Sequence, residues 1–458
     1  MNTYALTFVV LLALLLLCNL LMTLLRRRGP QLAFNVALLA LLAANAYLLQ
    51  TDSTTYFGMV SVNPFSAFFF IAITSGILLA NLLAYKYSDD YCAFSLLASF
   101  ALFGGCLVVA ANSLIAIFIG LESVSLPSTF IMLSSKKRGL EPAMKFFIMA
   151  SIATAVTSFA IALVYGASGT LALEPHQQGL LLSLAAVLFI ASLGVEAAVF
   201  PFSVFIPDVY QGSDAHVVSL LGGVNKSIGM AALIQVSVIL FISSEFAFTA
   251  IAVLAAITML FGNLIALSQK SLKRMLAYSS IAQVGYVLVG IATKSQLGIE
   301  ASLFQIFAHA FLFIGALGIL AWLEKSDRKD LDDLVGLYKE DGLAAGALSI
   351  FVLSMAGLPF TTGFIGKFTI FLSAVSAGLS WLAVIGVGCS IISLLYYVRI
   401  VMAVFTDKLG KKRSELDPAT AIVVAVCLGI TIAFGIFPQP LLGMASGGAA
   451  YIMALVPH

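Results

Sequence analysis

Long apolar runs separated by short polar intervals fill this chain from end to end. The runs from Leu180 to Phe200 and from Ala419 to Phe437 each exceed the roughly 18 residues that mark a bilayer-crossing helix. A helix satisfies its own backbone hydrogen bonds, so these runs predict spanning helices. Cutting at the polar intervals gives about fourteen spans: 4–25, 31–50, 66–85, 91–110, 112–134, 141–166, 179–207, 213–242, 248–267, 276–293, 297–323, 342–375, 379–405 and 418–440. The first run ends in Arg26, Arg27 and Arg28, where a signal peptide would show small residues, and is therefore the first helix. The fold class expected is an all-α polytopic membrane protein.

Composition excludes a soluble alternative. Of 458 residues, 61% are hydrophobic and 10% charged, whereas soluble domains are about half apolar and a quarter charged. Cys18, Cys92, Cys106, Cys389 and Cys427 are scattered without ligand-like spacing, so no iron–sulfur or zinc site and no cofactor is expected in this chain.

The placement of basic residues sets the orientation. Arg26, Arg27 and Arg28 lie in the first loop, Lys86 in the third, and Lys136, Lys137 and Arg138 in the fifth. The ninth holds Lys270, Lys273 and Arg274, the eleventh Lys325, Arg328, Lys329 and Lys339, and the thirteenth Lys408, Lys411, Lys412 and Arg413. These same-side loops hold 18 of the 23 Lys and Arg residues, and the opposite loops hold only Lys294. The expectation is a prokaryotic plasma-membrane protein with odd-numbered loops cytoplasmic and both termini on the outer face.

No soluble domain interrupts the pattern. Two spans contain helix breakers: the seventh has Gly194, Pro201 and Pro207, and the twelfth has Gly357, Pro359, Gly363 and Gly366. Proline removes a backbone bond, which at membrane depth is tolerated only against protein or a wet cavity. The breaks fall in the fourth span of two consecutive five-span units, 91–242 and 248–405. Helices 1–3 (1–90) precede these units and a last helix (418–458) follows. An odd number of spans per unit inverts the second relative to the first, a layout found in many transporters.

An ionisable group at mid-membrane costs on the order of 3 kcal/mol or more, which makes it a functional candidate. The residues singled out are Glu122 in the fifth span, Glu196 in the seventh, Lys226 in the eighth, His309 in the eleventh, Lys367 in the twelfth and Arg399 in the thirteenth. A row of such groups joined by water is the chemistry of a proton path. Competing structural readings are an ion pair or cap for Glu122, Lys226 and Lys367, and a satisfied core histidine for His309. Snorkelling to the cytoplasmic face competes for Arg399 and for Lys145, near the start of the sixth span, whose functional alternative is tuning Glu122.

The segments GLESVSLPSTF, PFSVFIPDVYQGSDAHVVSLLGGVNK, FGNLIALSQKSLKRMLAYSSIAQVGY, MAGLPFTTGFIGKF, YYVRI and FPQPLL together resemble one family. It comprises the antiporter-like subunits of proton-pumping NADH:quinone oxidoreductase, respiratory complex I, and the match is to the N type. The resemblance implies two inverted five-helix bundles and a central hydrated row of charges, driven by electron transfer in other subunits. It also implies neighbouring antiporter-like and small membrane subunits as partners. Glu122, Lys226 and Lys367 match the family's glutamate of the fifth helix and lysines of the eighth and twelfth. Glu196, five residues before Pro201, stands where the family has lysine, and like-charge repulsion between it and a nearby Glu122 would keep a proton on one of them. Ser203 and Gln283 stand where relatives often have histidine.

The first rival is a subunit of a multisubunit sodium/proton antiporter or membrane-bound hydrogenase. Those relatives usually carry a lysine a few residues after the His-Ala histidine, where this chain has Phe313. A standalone solute carrier would need a substrate pocket, and a purely structural subunit would have lost the relay. The sequence leaves NADH, ferredoxin or reduced deazaflavin open as donor, and a quinone or methanophenazine as acceptor.

Overall fold

A computed structural model describes residues 3–50, 53–134, 139–175, 179–407 and 416–456. The apolar runs form helices α1 (Thr3–Leu24), α2 (Arg28–Leu48), α3 (Pro64–Tyr87), α4 (Tyr91–Val109), α5 (Leu114–Leu133), α6 (Leu140–Ser168) and α7 (Leu180–Ala197). Then come α8 (Ile206–Gly212), α9 (Ala215–Leu220), α10 (Lys226–Gln235), α11 (Glu245–Ser268), α12 (Leu272–Ala292) and α13 (Gln296–Glu324). The short α14 (Leu337–Glu340) precedes α15 (Gly342–Ala356), α16 (Thr362–Ser376), α17 (Ser380–Phe405), α18 (Pro418–Ile436) and α19 (Gln439–Ala454). The π-helical segment Leu221–Asn225 joins α9 to α10 and a second, Val236–Leu240, extends α10, which makes one rod, Ala215–Leu240. Among the described residues thirteen rods are long and apolar enough to span a membrane, and the shorter apolar helices α15 and α16 together supply the expected twelfth span.

The loops sort onto two ends as the charge count requires. At the basic end Arg28 donates to the Asp89 carbonyl, Tyr87 bonds to Asp417, and Lys273 pairs with Glu324 at 2.5 Å. At the other end Lys294 pairs with Glu245, and Ser61 meets Tyr451 at 3.3 Å. Lys136, Lys137, Arg138, Lys408, Lys411, Lys412 and Arg413 lie outside the described residues. Helices α12 and α13 are buried along their full spanning windows and form the centre, whereas α1 and α2 lie at the rim.

What holds α1 and α2 is hydrogen bonding, because lipid gives apolar faces little reason to associate. Asn19 Nδ2 donates to Asn35 Oδ1 at 2.8 Å and to Ser99 Oγ at 2.7 Å. Gln31 Nε2 and Ser95 Oγ both donate to Asn19 Oδ1, which ties α1, α2 and α4 into one buried amide cluster.

Both expected breaks are present. α7 stops at Ala198, which is left-handed (φ 64), and the chain runs irregularly past Pro201 before α8 begins. α15 stops at Gly357 (φ 105), where a side chain would strain the backbone, and α16 resumes after Pro359. The breaks are five spans apart, so alternation of direction inverts the second relative to the first.

The C-terminal segment departs from expectation. Residues 418–458 do not make one helix: α18 ends at Ile436 and α19 starts at Gln439. Phe437 precedes Pro438 and leaves the helical region (φ −119, ψ 74), as residues before proline do. A two-stranded hairpin, β1 (Thr54–Tyr56) with β2 (Val60–Val62), also lies where only a loop was expected.

Candidate functional site

Glu122 sits in the middle of α5 and accepts a hydrogen bond from Thr154 of α6. Glu196 lies in the last turn of α7, at the break, and accepts from Ser125 Oγ, at 3.2 and 3.4 Å to its two oxygens. Both carboxylates line one cavity of about 10 Å³, close to the size of a single water. Glu196 also lines a second cavity, of about 20 Å³, with Tyr210, Asn225 and Lys226. It is thus the joint between Glu122 and Lys226. Gly229 makes this approach possible, since a Cβ there would lie 2.7 Å from the Glu196 carbonyl carbon.

Lys226 follows the first π segment. Its Nζ donates to Ser280 Oγ at 2.6 Å and lies 5.6 Å from the Tyr210 ring centroid. Ser280 in turn donates its hydroxyl to the Ala277 carbonyl at 2.8 Å. Gly222 and Gly223 let α13 come close beside Lys226: a Cβ on them would sit 2.1 Å from Phe313 and 2.7 Å from Ile314. That approach brings buried His309 into the electrostatic range of Lys226. Neither ring nitrogen of His309 has a partner among the described residues.

One turn earlier on α13, Gln305 donates to Gln283 Oε1 at 2.9 Å, and Gln283 donates to the Met355 carbonyl at 3.0 Å. The end of a helix leaves its last carbonyls without partners. At the α15 break Leu353 and Ser354 are capped by Gly357 and Leu358, while Met355 receives Gln283 and Ala356 receives Lys367 Nζ at 3.1 Å. Lys367 also lies 4.4 Å from the Tyr286 ring centroid. The break and the lysine therefore explain each other.

The structure brings Glu122, Glu196, Lys226, His309 and Lys367 into one polar row but not Lys145 or Arg399. Lys145 is bound at the basic end, 2.8 Å from Glu141 and 3.0 Å from Asp208, and its side chain is 39% exposed. Arg399 donates to the Leu267 carbonyl at 2.6 Å, capping the C-terminus of α11. Both groups are held in place near the basic end, as snorkelling residues are. Gln283 joins the row, whereas Ser203 is buried in the first break with no hydrogen-bond partner for its hydroxyl among the described residues. Sequence reasoning missed Ser280, Gln305, Tyr210, Tyr286 and Asn225, whose residue types give no signal without the partner helix.

It also missed the role of Asp208 in the PDVYQG segment. Asp208 accepts from Lys145 and, at 2.7 Å, from Arg274, so it latches the seven-residue α8 to α6 and α12. Ile206 and Tyr210 on the same short helix wall the Glu196–Lys226 cavity. Asp208→Asn removes the carboxylate charge from both ion pairs and leaves one oxygen to serve two cationic donors. Amide exchange across 206–212 is expected to speed up several-fold with the spanning helices unchanged; equal exchange in the two proteins would exclude the latch.

Residues 111–393 match the model of the family described as NADH:quinone oxidoreductase/Mrp antiporter, TM. The chain is 37% identical over 435 residues to F(420)H(2) dehydrogenase subunit N of Methanosarcina mazei, covering 88% of this chain and 86% of the relative. Among solved structures it resembles a chain of respiratory complex I from Thermus thermophilus, with a TM-score of 0.85, 30% identity and coverage of 96% and 99%. A chain of the Mrp complex from Dietzia sp. shares the fold at a TM-score of 0.90 and 21% identity, over the full length of both.

Proposed function

Because the chain belongs to the NADH:quinone oxidoreductase/Mrp antiporter transmembrane family, we propose that it moves protons within the membrane arm of a complex I-like oxidoreductase. Electron transfer in other subunits drives it. Protons pass along Glu122, Glu196, Lys226, His309 and Lys367, with the basic loops facing the cytoplasm and both ends of the chain outside. The observation that supports this most is the binding of the two lysines: their partners are a hydroxyl, a carbonyl and aromatic rings. An ammonium held by dipoles can give up its proton without leaving a bare carboxylate behind. The His309 nitrogens and Gln305 Oε1, without hydrogen-bond partners among the described residues, supply sites for bridging water between the two lysines.

Glu122 gives the row a lateral end. It is only part-buried at mid-span, and Ser151 and Ser158, three residues before and four after its partner Thr154 on α6, are exposed. A carboxylate opening sideways onto acyl chains is costly, so this side faces a neighbouring membrane subunit.

Glu196→Gln tests the least usual member. With Glu196 as a carrier, the ratio of protons moved to electrons transferred by the whole complex in vesicles should fall. The uncoupled electron-transfer rate should stay at its wild-type value. An unchanged ratio would remove Glu196 from the path.

A further inference from the structure

Lys294, the single Lys or Arg in the loops opposite the basic end, has no place in the relay. It turns the chain between α12 and α13 in a left-handed conformation (φ 52). Its Nζ lies 2.5 Å from Glu245 Oε1 and 4.9 Å from the Phe248 ring centroid. The lysine side chain is 22% exposed, whereas that of Glu245 is 88% exposed. This pair borders a cavity of about 360 Å³, far larger than those of the relay, with Phe248 and Trp381 also in its wall. Trp381 is half exposed at the start of α17, the level at which indoles collect at membrane interfaces. Toward mid-membrane the exposed surfaces of α11 and α17 are apolar, with Val253 and Ile257 on one and Val384 and Val387 on the other.

The cavity therefore offers a cation, an anion and aromatic faces at headgroup level, above an apolar wall. A free anion would meet the Glu245 carboxylate, and a free amine would meet the Lys294 ammonium. A molecule bearing both charges satisfies both. We infer that this cavity binds a phospholipid whose headgroup carries a phosphate and a primary ammonium. Its phosphate takes the Lys294 ammonium, its amine takes Glu245 and the exposed face of Trp381, and its acyl chains lie along α11 and α17. A quaternary ammonium has no N–H to give Glu245, so an ethanolamine headgroup is preferred over a choline one.

The purified complex, exchanged into nanodiscs of equal phosphatidylethanolamine and phosphatidylcholine, tests this by identification of the lipid retained on re-extraction. Wild type should retain phosphatidylethanolamine with roughly tenfold preference, a difference of about 1.4 kcal/mol. Glu245→Gln should retain lipid without the preference, and Lys294→Gln should retain neither lipid. Equal retention of the two lipids by wild type, or an undiminished preference in Glu245→Gln, overturns the assignment. Displacement of the lipid by millimolar inorganic phosphate also overturns it, in favour of a free-anion site. Proton translocation in both variants should match wild type, so this result and the result for Glu196→Gln are read independently.

Discussion

Lys226→Met is expected to lower proton translocation by about a hundredfold or more, the range that a positioned proton carrier contributes, while the complex assembles at wild-type abundance. Methionine keeps the length and packing of the side chain. What it removes is the ammonium that donates to Ser280 Oγ, and Ser280 keeps its own bond to Ala277. A buried ammonium with no carboxylate bonded to it contributes nothing to folding that an apolar side chain of similar shape cannot supply, so stability should not fall. A second substitution separates carrying a proton from carrying a charge. In Lys226→Arg the positive charge stays, but a guanidinium does not release its proton in a protein. Arginine should therefore be as inactive as methionine in vesicle measurements with a pH-sensitive dye. Recovery of translocation in the arginine variant would show that position 226 needs only a fixed charge.

The same contrast shows what was legible in the chain. Length and polarity located every spanning rod, because crossing hydrocarbon leaves a mark at each position. The two breaks were legible for a related reason: proline and glycine alter the backbone whatever surrounds them. The relay was legible only through its charged members. Ser280, Gln305 and Tyr286 matter because helices distant in sequence place them against Lys226 and Lys367, and a neutral polar residue in a span has many ordinary uses. Lys145 and Arg399 show the converse. Each is a charge within a predicted span, yet one is bound to Glu141 and Asp208 and the other to a helix-end carbonyl. Hydropathy cannot tell depth along a helix from distance to its end. The turn at Phe437 and Pro438 was written in the sequence, but FPQPLL joins two apolar stretches so closely that they read as one segment.

The second break makes the larger structural prediction. Gly363→Ala places a Cβ 1.9 Å from the Ser354 carbonyl oxygen and 2.7 Å from its carbon. Both are backbone atoms of the last turn of α15, so no side chain can rotate aside. Relief requires α16 to separate from α15, which also stretches the bond from Gly363 N–H to Ser354 Oγ, 3.2 Å in the intact protein. That turn ends in the Met355 and Ala356 carbonyls, which hold Gln283 and Lys367. One added methyl group should therefore damage stability and relay together. Overpacking of a core typically costs about 1–3 kcal/mol, and a clash with fixed backbone belongs at or above the upper end. Gly346→Ala, on the partner helix α15 with nothing within 4 Å of the new methyl, supplies the comparison. It should be neutral or slightly stabilising, because alanine favours helix. Thermal unfolding of the detergent-solubilised complex should put Gly363→Ala well below wild type and Gly346→Ala at or above it. If the two variants unfold together, α15 and α16 are not locked at this contact, and the geometry that presents Ala356 to Lys367 has another origin.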